Sequence, residues 1–234
     1  MEQDINKIIR DSITPLLTPR IDSLAFDKKD KAIHVSNRLI ENMQRLHNRY
    51  CELNKAADDL GDAVCNKENK EDTTHLQLIL VDKIEGFNQH VYALISTLVL
   101  VLTHLAPKVW KVDMPIRSIQ KFLEYLKKKN QNDKKIIEAI DIIEKSREFR
   151  ARFIDHVQQH IVQSWMTHTY RNDSYIIYYI SKSNNIYHRG VRDPNMDGFI
   201  PPVDCESFYV SPNINKTYIA SVNLIKTILI NINK

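Results

Sequence analysis

Residues 76–105 read LQLILVDKIEGFNQHVYALISTLVLVLTHL, and the spacing of their apolar positions decides the fold. Leu76, Leu80, Ile84, Phe87, Val91, Leu94, Ile95, Leu98 and Leu102 recur at steps of three and four, the repeat that lines side chains along one face of an α-helix. The pattern predicts a central long helix from Thr74 to Leu105, closed by Pro107, which cannot continue a helical hydrogen-bond ladder. Its most apolar part, Val91 to Ala106, is interrupted by Ser96, Thr97, Thr103 and His104. At about 16 residues it falls short of the roughly 20 that cross a bilayer. It reads as a buried helix of a bundle, and no membrane association is expected.

Composition points the same way. Only 4 glycines among 234 residues argue for helices over a turn-rich β fold, so the expected class is mainly α. With 43% hydrophobic and 26% charged residues the chain has enough apolar surface for a core, which excludes a disordered polymer. Cys51, Cys65 and Cys205 are odd in number and lack metal-ligand spacing. Together with an opening Met1-Glu2-Gln3-Asp4 that lacks the basic and apolar regions of a secretory signal, they favour a cytoplasmic protein without disulfides. A net charge of +4 is too mild to establish a nucleic-acid partner by itself. No Gly-rich phosphate loop, nucleophile elbow or contextual carboxylate pair is present, so the familiar nucleotide-hydrolysing and acyl-transfer chemistries have no carrier here.

Outward from the central helix, an amphipathic helix is expected over Asp4 to Leu17, ended by Thr18-Pro19. A second helix, Asp27 to Ala63, carries few apolar residues and many charges, the pattern of an exposed arm that packs on a narrow stripe. The polar run Asn66 to Thr73 marks a boundary between N-terminal helices (1–73) and a helical bundle (74–234). Within the bundle, a short helix runs from Pro115 to Lys129, where Lys127-Lys128-Lys129 suit the negative end of the helix dipole. Ser174 to Ile180 is β-branched and aromatic, and Ser183-Asn184-Asn185 leads to Ile186-Tyr187-His188, a β-hairpin over about 174–191. A short strand at Ser207 to Val210 then precedes a last helix, opened by Ser211-Pro212 and carrying Tyr218, Val222, Ile225 and Leu229.

The helix expected from Asp133, its N-cap, to Ser164 breaks its own packing rule. Ile136, Ala139, Ile142, Ile143, Phe149, Phe153, Val157 and Ile161 form an apolar stripe, and the heptad from Ile143 to Val157 places Arg150 inside it. An unpaired buried guanidinium costs several kcal/mol, so Arg150 must meet a carboxylate such as Glu85 or Asp82, a second chain or a bound anion. His156 and His160 lie along one flank. They are an i, i+4 pair without an evident third ligand, so neither a metal nor another cofactor is expected.

A long apolar helix, a short helix and a second long helix carrying Arg150-Ala151-Arg152-Phe153-Ile154-Asp155-His156 together resemble the HEPN superfamily, the higher eukaryote and prokaryote nucleotide-binding domains. The resemblance spans roughly residues 74 to 231, with the hairpin as an insertion before the last helix. Ala151 follows the arginine where the family usually has a polar residue. The resemblance implies a small helical bundle, commonly a homodimer, whose Arg and His act on RNA as a metal-independent endoribonuclease of the toxin or antiviral-defence type. It implies that His156 serves as general acid or base and that Arg150 stabilises phosphoryl charge. Arg152, Asp155, Arg147 and His160 are their supporting neighbours. On an ideal helix Arg150 and His156 lie about 120° apart, so an active site on this pattern needs either a cleft between two protomers or a distorted helix end. The alternative is a non-catalytic interaction or assembly module of a defence or toxin-antitoxin system, with Asp27 to Ala63 as its contact arm for a protein partner.

Overall fold

A computed structural model describes residues 4–65, 70–106, 119–150, 162–170, 173–181 and 205–233, and these are mainly α. Asp4 opens the first helix, its Oδ1 accepting from the backbone N–H of Asn6 and Lys7 at 3.0 and 3.3 Å. Helix α1 (Ile5–Ile8) passes through a π-helical turn (Ile9–Ile13) into α2 (Thr14–Asp22), burying Ile5, Ile9, Ile13 and Leu17. The expected stop at Thr18-Pro19 does not occur. Pro15 sits in the first turn of α2, where its missing N–H is not needed, and Pro19 falls within one turn of the helix end, so the ladder loses little. Ser23 closes it, its N–H donating to the Pro19 carbonyl at 3.1 Å.

Helix α3 (Phe26–Cys65) and helix α4 (Lys70–Leu105) each contribute to two compact units. The first unit comprises Met1–Asn48, Gln89–Arg147 and Thr217–Lys234, the second Arg49–Asn88 and Glu148–Lys216, so both draw on segments either side of residue 73.

In the first unit the α4 segment is buried nearly all round, at Val91, Leu94, Ile95, Leu98, Val99, Val101, Leu102 and Leu105. The α3 segment packs Ala32, Val35, Leu39, Met43 and Leu46 inward together with Ser36 and Asn42, one stripe along a helix whose other positions are largely exposed. Asn42 Nδ2 donates to Thr97 Oγ1 at 2.7 Å, and Thr97 Oγ1 donates to the Ala93 carbonyl at 2.8 Å. Nearer the other end, burial first and then the charge of Lys31 depress the His104 pKa, so α3 and α4 run antiparallel in this unit. Helices α5 (Ile119–Lys129) and α6 (Lys134–Arg150) bury Phe122, Leu123 and Leu126 and Ile136, Ile140 and Ile143, respectively. The last helix, α7 (Val210–Ile232), brings Tyr218, Val222, Ile225 and Leu229 inside. His47 Nδ1 and the Tyr218 hydroxyl lie 2.8 Å apart, and Asn233 Nδ2 donates to the Leu16 carbonyl at 2.9 Å, tying the end of the chain to α2.

In the second unit α3 and α4 again run antiparallel. Glu52 pairs with Arg49 at 2.9 Å and Lys83 at 3.3 Å, and a β-carbon on Gly86 would lie 3.9 Å from the Arg49 side chain. Leu53, Ala56, Leu80, Ile84 and Phe87 are buried, and the Tyr50 hydroxyl donates to Asn215 Oδ1 at 3.1 Å. The backbone of β1 (Val162–Tyr170) pairs antiparallel with β2 (Asp173–Ser181), which pairs antiparallel with β3 (Cys205–Tyr209). The expected helix through Ser164 therefore overshoots, because Val162, Gln163 and Ser164 belong to β1, a segment rich in the β-branched and aromatic residues that suit strands. The expected return strand Ile186 to His188 lies outside the described residues, as do Pro107 and Pro115.

By length and composition Leu78–Leu105 could cross a bilayer, a longer apolar stretch than Val91 to Ala106 alone. Its apolar window is 56% buried within the protein, a share that core helices of bundles also reach.

Thr97→Val removes the acceptor of the Asn42 amide while keeping the side chain's volume. With Asn42 7% and Thr97 3% exposed, the stranded amide is expected to lower unfolding stability by about 1–3 kcal/mol, measured by urea titration of the full chain.

Candidate functional site

The candidate site begins on α6, a helix whose start is fixed by one carboxylate. Asp133 Oδ1 accepts from the N–H groups of Lys135 and Ile136 at 3.1 and 3.2 Å, the N-cap expected from the sequence. From that start the helix buries Ile136, Ala139, Ile140, Ile143 and Ser146. Ile142, expected in the stripe, is only half-buried, and Ile140 takes the inward position. The correction follows from angle: Ile142 stands about 100° from Ile143, whereas Ile140 lies three residues from it on the same face.

Four residues beyond Ile143 the same face reaches Arg147. This side chain is half-buried, and its Nε is fully enclosed without a hydrogen-bond partner among the described residues. The packing anomaly read at Arg150 thus has a described counterpart one turn earlier. Sequence reasoning gave Arg147 only a supporting place, although its i+4 relation to Ile143 was a legible signal. Arg150 is the final described residue of α6, and its side chain lies outside what the structure describes. Arg152, Asp155, His156 and His160 all lie outside the described residues.

Of the two carboxylates expected to face Arg150, Asp82 is exposed and sits 3.9 Å from the Lys83 ammonium. Glu85 is half-buried. Burial, and secondarily the negative charge of Asp82, push its pKa above the usual carboxylate range. Among the described residues no three His, Cys, Asp or Glu side chains converge as a metal site.

A second polar centre joins α5 to α6. Lys127 Nζ lies 2.7 Å from Asp141 Oδ1 and 2.6 Å from Glu144 Oε2, and its pKa is raised by these two hydrogen bonds. The sequence showed Lys127 as one of three lysines at a helix end. It did not show that two acids one turn apart on the next helix neutralise this one alone. Beyond it, Lys128, Lys129, Lys134 and Lys135 surround an open concavity of about 680 Å³ that also includes Asn130, Gln131 and Asn132. Lys129 Nζ stands 6.0 Å from the centre of the Tyr125 ring.

The chain matches no family model, no curated protein and no solved structure. The reading of the site therefore rests on its residues.

Two outcomes are expected. Arg147→Met keeps the apolar stem and removes the enclosed, unpartnered donor, so thermal unfolding should show equal or higher stability, by up to about 1 kcal/mol. A glutamate whose folded pKa is raised stabilises the fold below its unfolded pKa and loses that contribution as pH rises through the folded value. Glu85→Gln is therefore expected to raise the melting temperature at pH 7, with the gain vanishing as the pH falls below the ordinary carboxylate range.

Proposed function

We propose that this chain is a HEPN-like, metal-independent endoribonuclease whose Arg150 and His156 work together in the cleft of a homodimer. The observation that carries the reading is the Arg150-to-His156 spacing in the sequence, which starts at the last described residue of α6, a helix with a buried face in a mainly helical chain. The described part of α6 supports it in one respect. Its inward face turns from isoleucines to arginine at Arg147, and Arg150 follows three residues later on the helix backbone. A guanidinium nitrogen enclosed without a partner among the described residues, as at Arg147, calls for an anion, and a phosphodiester is one that suits the planar fork of donors.

In this reading the His156 imidazole takes the proton from an RNA 2′-hydroxyl, and the 2′-oxygen attacks the adjacent phosphorus. The 5′-oxygen of the next nucleotide leaves with its electron pair and takes a proton from the second protomer's imidazole. A 2′,3′-cyclic phosphate and a 5′-hydroxyl result. Arg150 holds the two negative charges that gather on the phosphoryl oxygens as the fifth bond forms. A neutral and a charged imidazole are needed together, so activity should peak between their pKa values and fall on either side.

The expected result is that the full chain cleaves single-stranded RNA in EDTA, leaving cyclic phosphate ends. His156→Ala and Arg150→Ala should each reduce the rate by about 100-fold or more while circular dichroism and mass are unchanged. Cleavage that survives both substitutions, or a wild-type protein that is inert and strictly monomeric, overturns the proposal.

A further inference from the structure

We infer that the turn joining α5 to α6 is a docking surface for the phosphodiester backbone of a nucleic acid. Between residues 128 and 135 stand four lysines against one aspartate, a net +3 in a chain whose whole net charge is +4. That one aspartate is occupied, because its carboxylate caps α6 at the backbone of Lys135 and Ile136. Lys127, next in the run, is neutralised by Asp141 and Glu144 and belongs to the fold. Lys128, Lys134 and Lys135 are exposed and pair with no carboxylate among the described residues. Like charges held this close destabilise one another unless something anionic sits among them. The folded hairpin holds them around a concavity of about 680 Å³.

The partner's class follows from what else lines that surface. Asn130, Gln131 and Asn132 supply amide donors and acceptors of the kind that meet phosphate and sugar oxygens. The exposed large apolar side chains among the described residues are Phe26, Ile33, Leu78 and Ile219, none of them on this turn. A membrane surface would be gripped with such residues inserted beside the lysines, and an apolar protein interface would need them at its centre. A repeating polyanion needs neither. The inference shares with the proposed function only its ligand class, and its geometry does not involve Arg150 or His156.

The test uses the full chain in EDTA with a fluorescein-labelled, single-stranded 2′-O-methyl oligoribonucleotide of about 20 nucleotides, which cannot be cleaved through its 2′-oxygen. Failure of the nuclease reading therefore leaves this readout intact. Fluorescence anisotropy should show binding whose log affinity falls with log salt at a slope near −2, as about three phosphate contacts require. The triple variant Lys128→Gln, Lys134→Gln, Lys135→Gln should bind at least about tenfold more weakly at 0.1 M salt, with most of the slope gone. Lys127→Gln should leave the slope unchanged. All these lysines but Lys127 are exposed, so an unaltered circular dichroism spectrum is expected for the triple variant. Absence of binding by the wild-type chain, an undiminished affinity in the triple variant, or binding only to phosphatidylserine vesicles would overturn the inference.

Discussion

The hydrogen bond from Asn42 to Thr97 governs the first unit. Around it α4 is buried on nearly every side, with Leu94, Ile95, Leu98 and Val101 fully enclosed. Each such side chain contributes about 1.5–3 kcal/mol on burial. That drive has no direction, since a leucine gains nearly as much one turn up or down. A buried amide discriminates: every register that separates Asn42 from Thr97 strands it at a cost of about 1–3 kcal/mol. Thr97 is held in turn by the Ala93 carbonyl, so the acceptor is itself anchored within its own helix. The apolar seam drives collapse, and one polar pair within it selects the alignment that also puts Lys31 beside His104.

The ionic pairs follow a different logic. Lys127 and Glu52 each sit partly exposed between two opposite charges. Burial pushes Glu52 up, but Lys83 and Arg49 together outweigh it and hold its carboxyl below the usual range. Such surface pairs are worth about 0–1 kcal/mol each and adjust helices already packed. Arg147 breaks this order, with a polar atom enclosed and unpartnered among the described residues on a helix that otherwise buries Ile136, Ala139, Ile140, Ile143 and Ser146. A fold optimised for stability alone would place a leucine or methionine there.

Much of the helical pattern was legible in the sequence because it repeats. The apolar positions of α4 from Leu80 to Leu102, the cap at Asp133 and the inward residues of α7 all follow from spacing and one side chain's chemistry. α3 was harder to read because small and polar residues, Ala32, Ser36 and Asn42, hold inward positions that a count of large apolar side chains passes over. The π-turn at Ile9–Ile13 and the helix through Pro19 were also hidden, since the sequence shows a proline but not the few residues over which a helix can absorb it. At Val162 helical periodicity continued to fit where β-branched and aromatic content decided for a strand. For the site, Arg150 stood out in the sequence as a break in a pattern while Arg147 did not, and the capture of Lys127 by Asp141 and Glu144 joins two helices and has no signature in either alone.

Charge shows most clearly how place outranks composition. A net +4 over 234 residues says little about partners. Folding sorts those charges: Lys127, Arg49 and Lys83 are drawn into pairs, whereas Lys128, Lys134 and Lys135 stand exposed around the turn between α5 and α6. Ammonium groups on flexible stems suit the task of holding a backbone whose exact position does not matter, whereas a guanidinium suits one defined phosphoryl group. The chain carries the two kinds of cation in different settings, lysines at an open turn and, at Arg147 on α6, a guanidinium with its Nε enclosed.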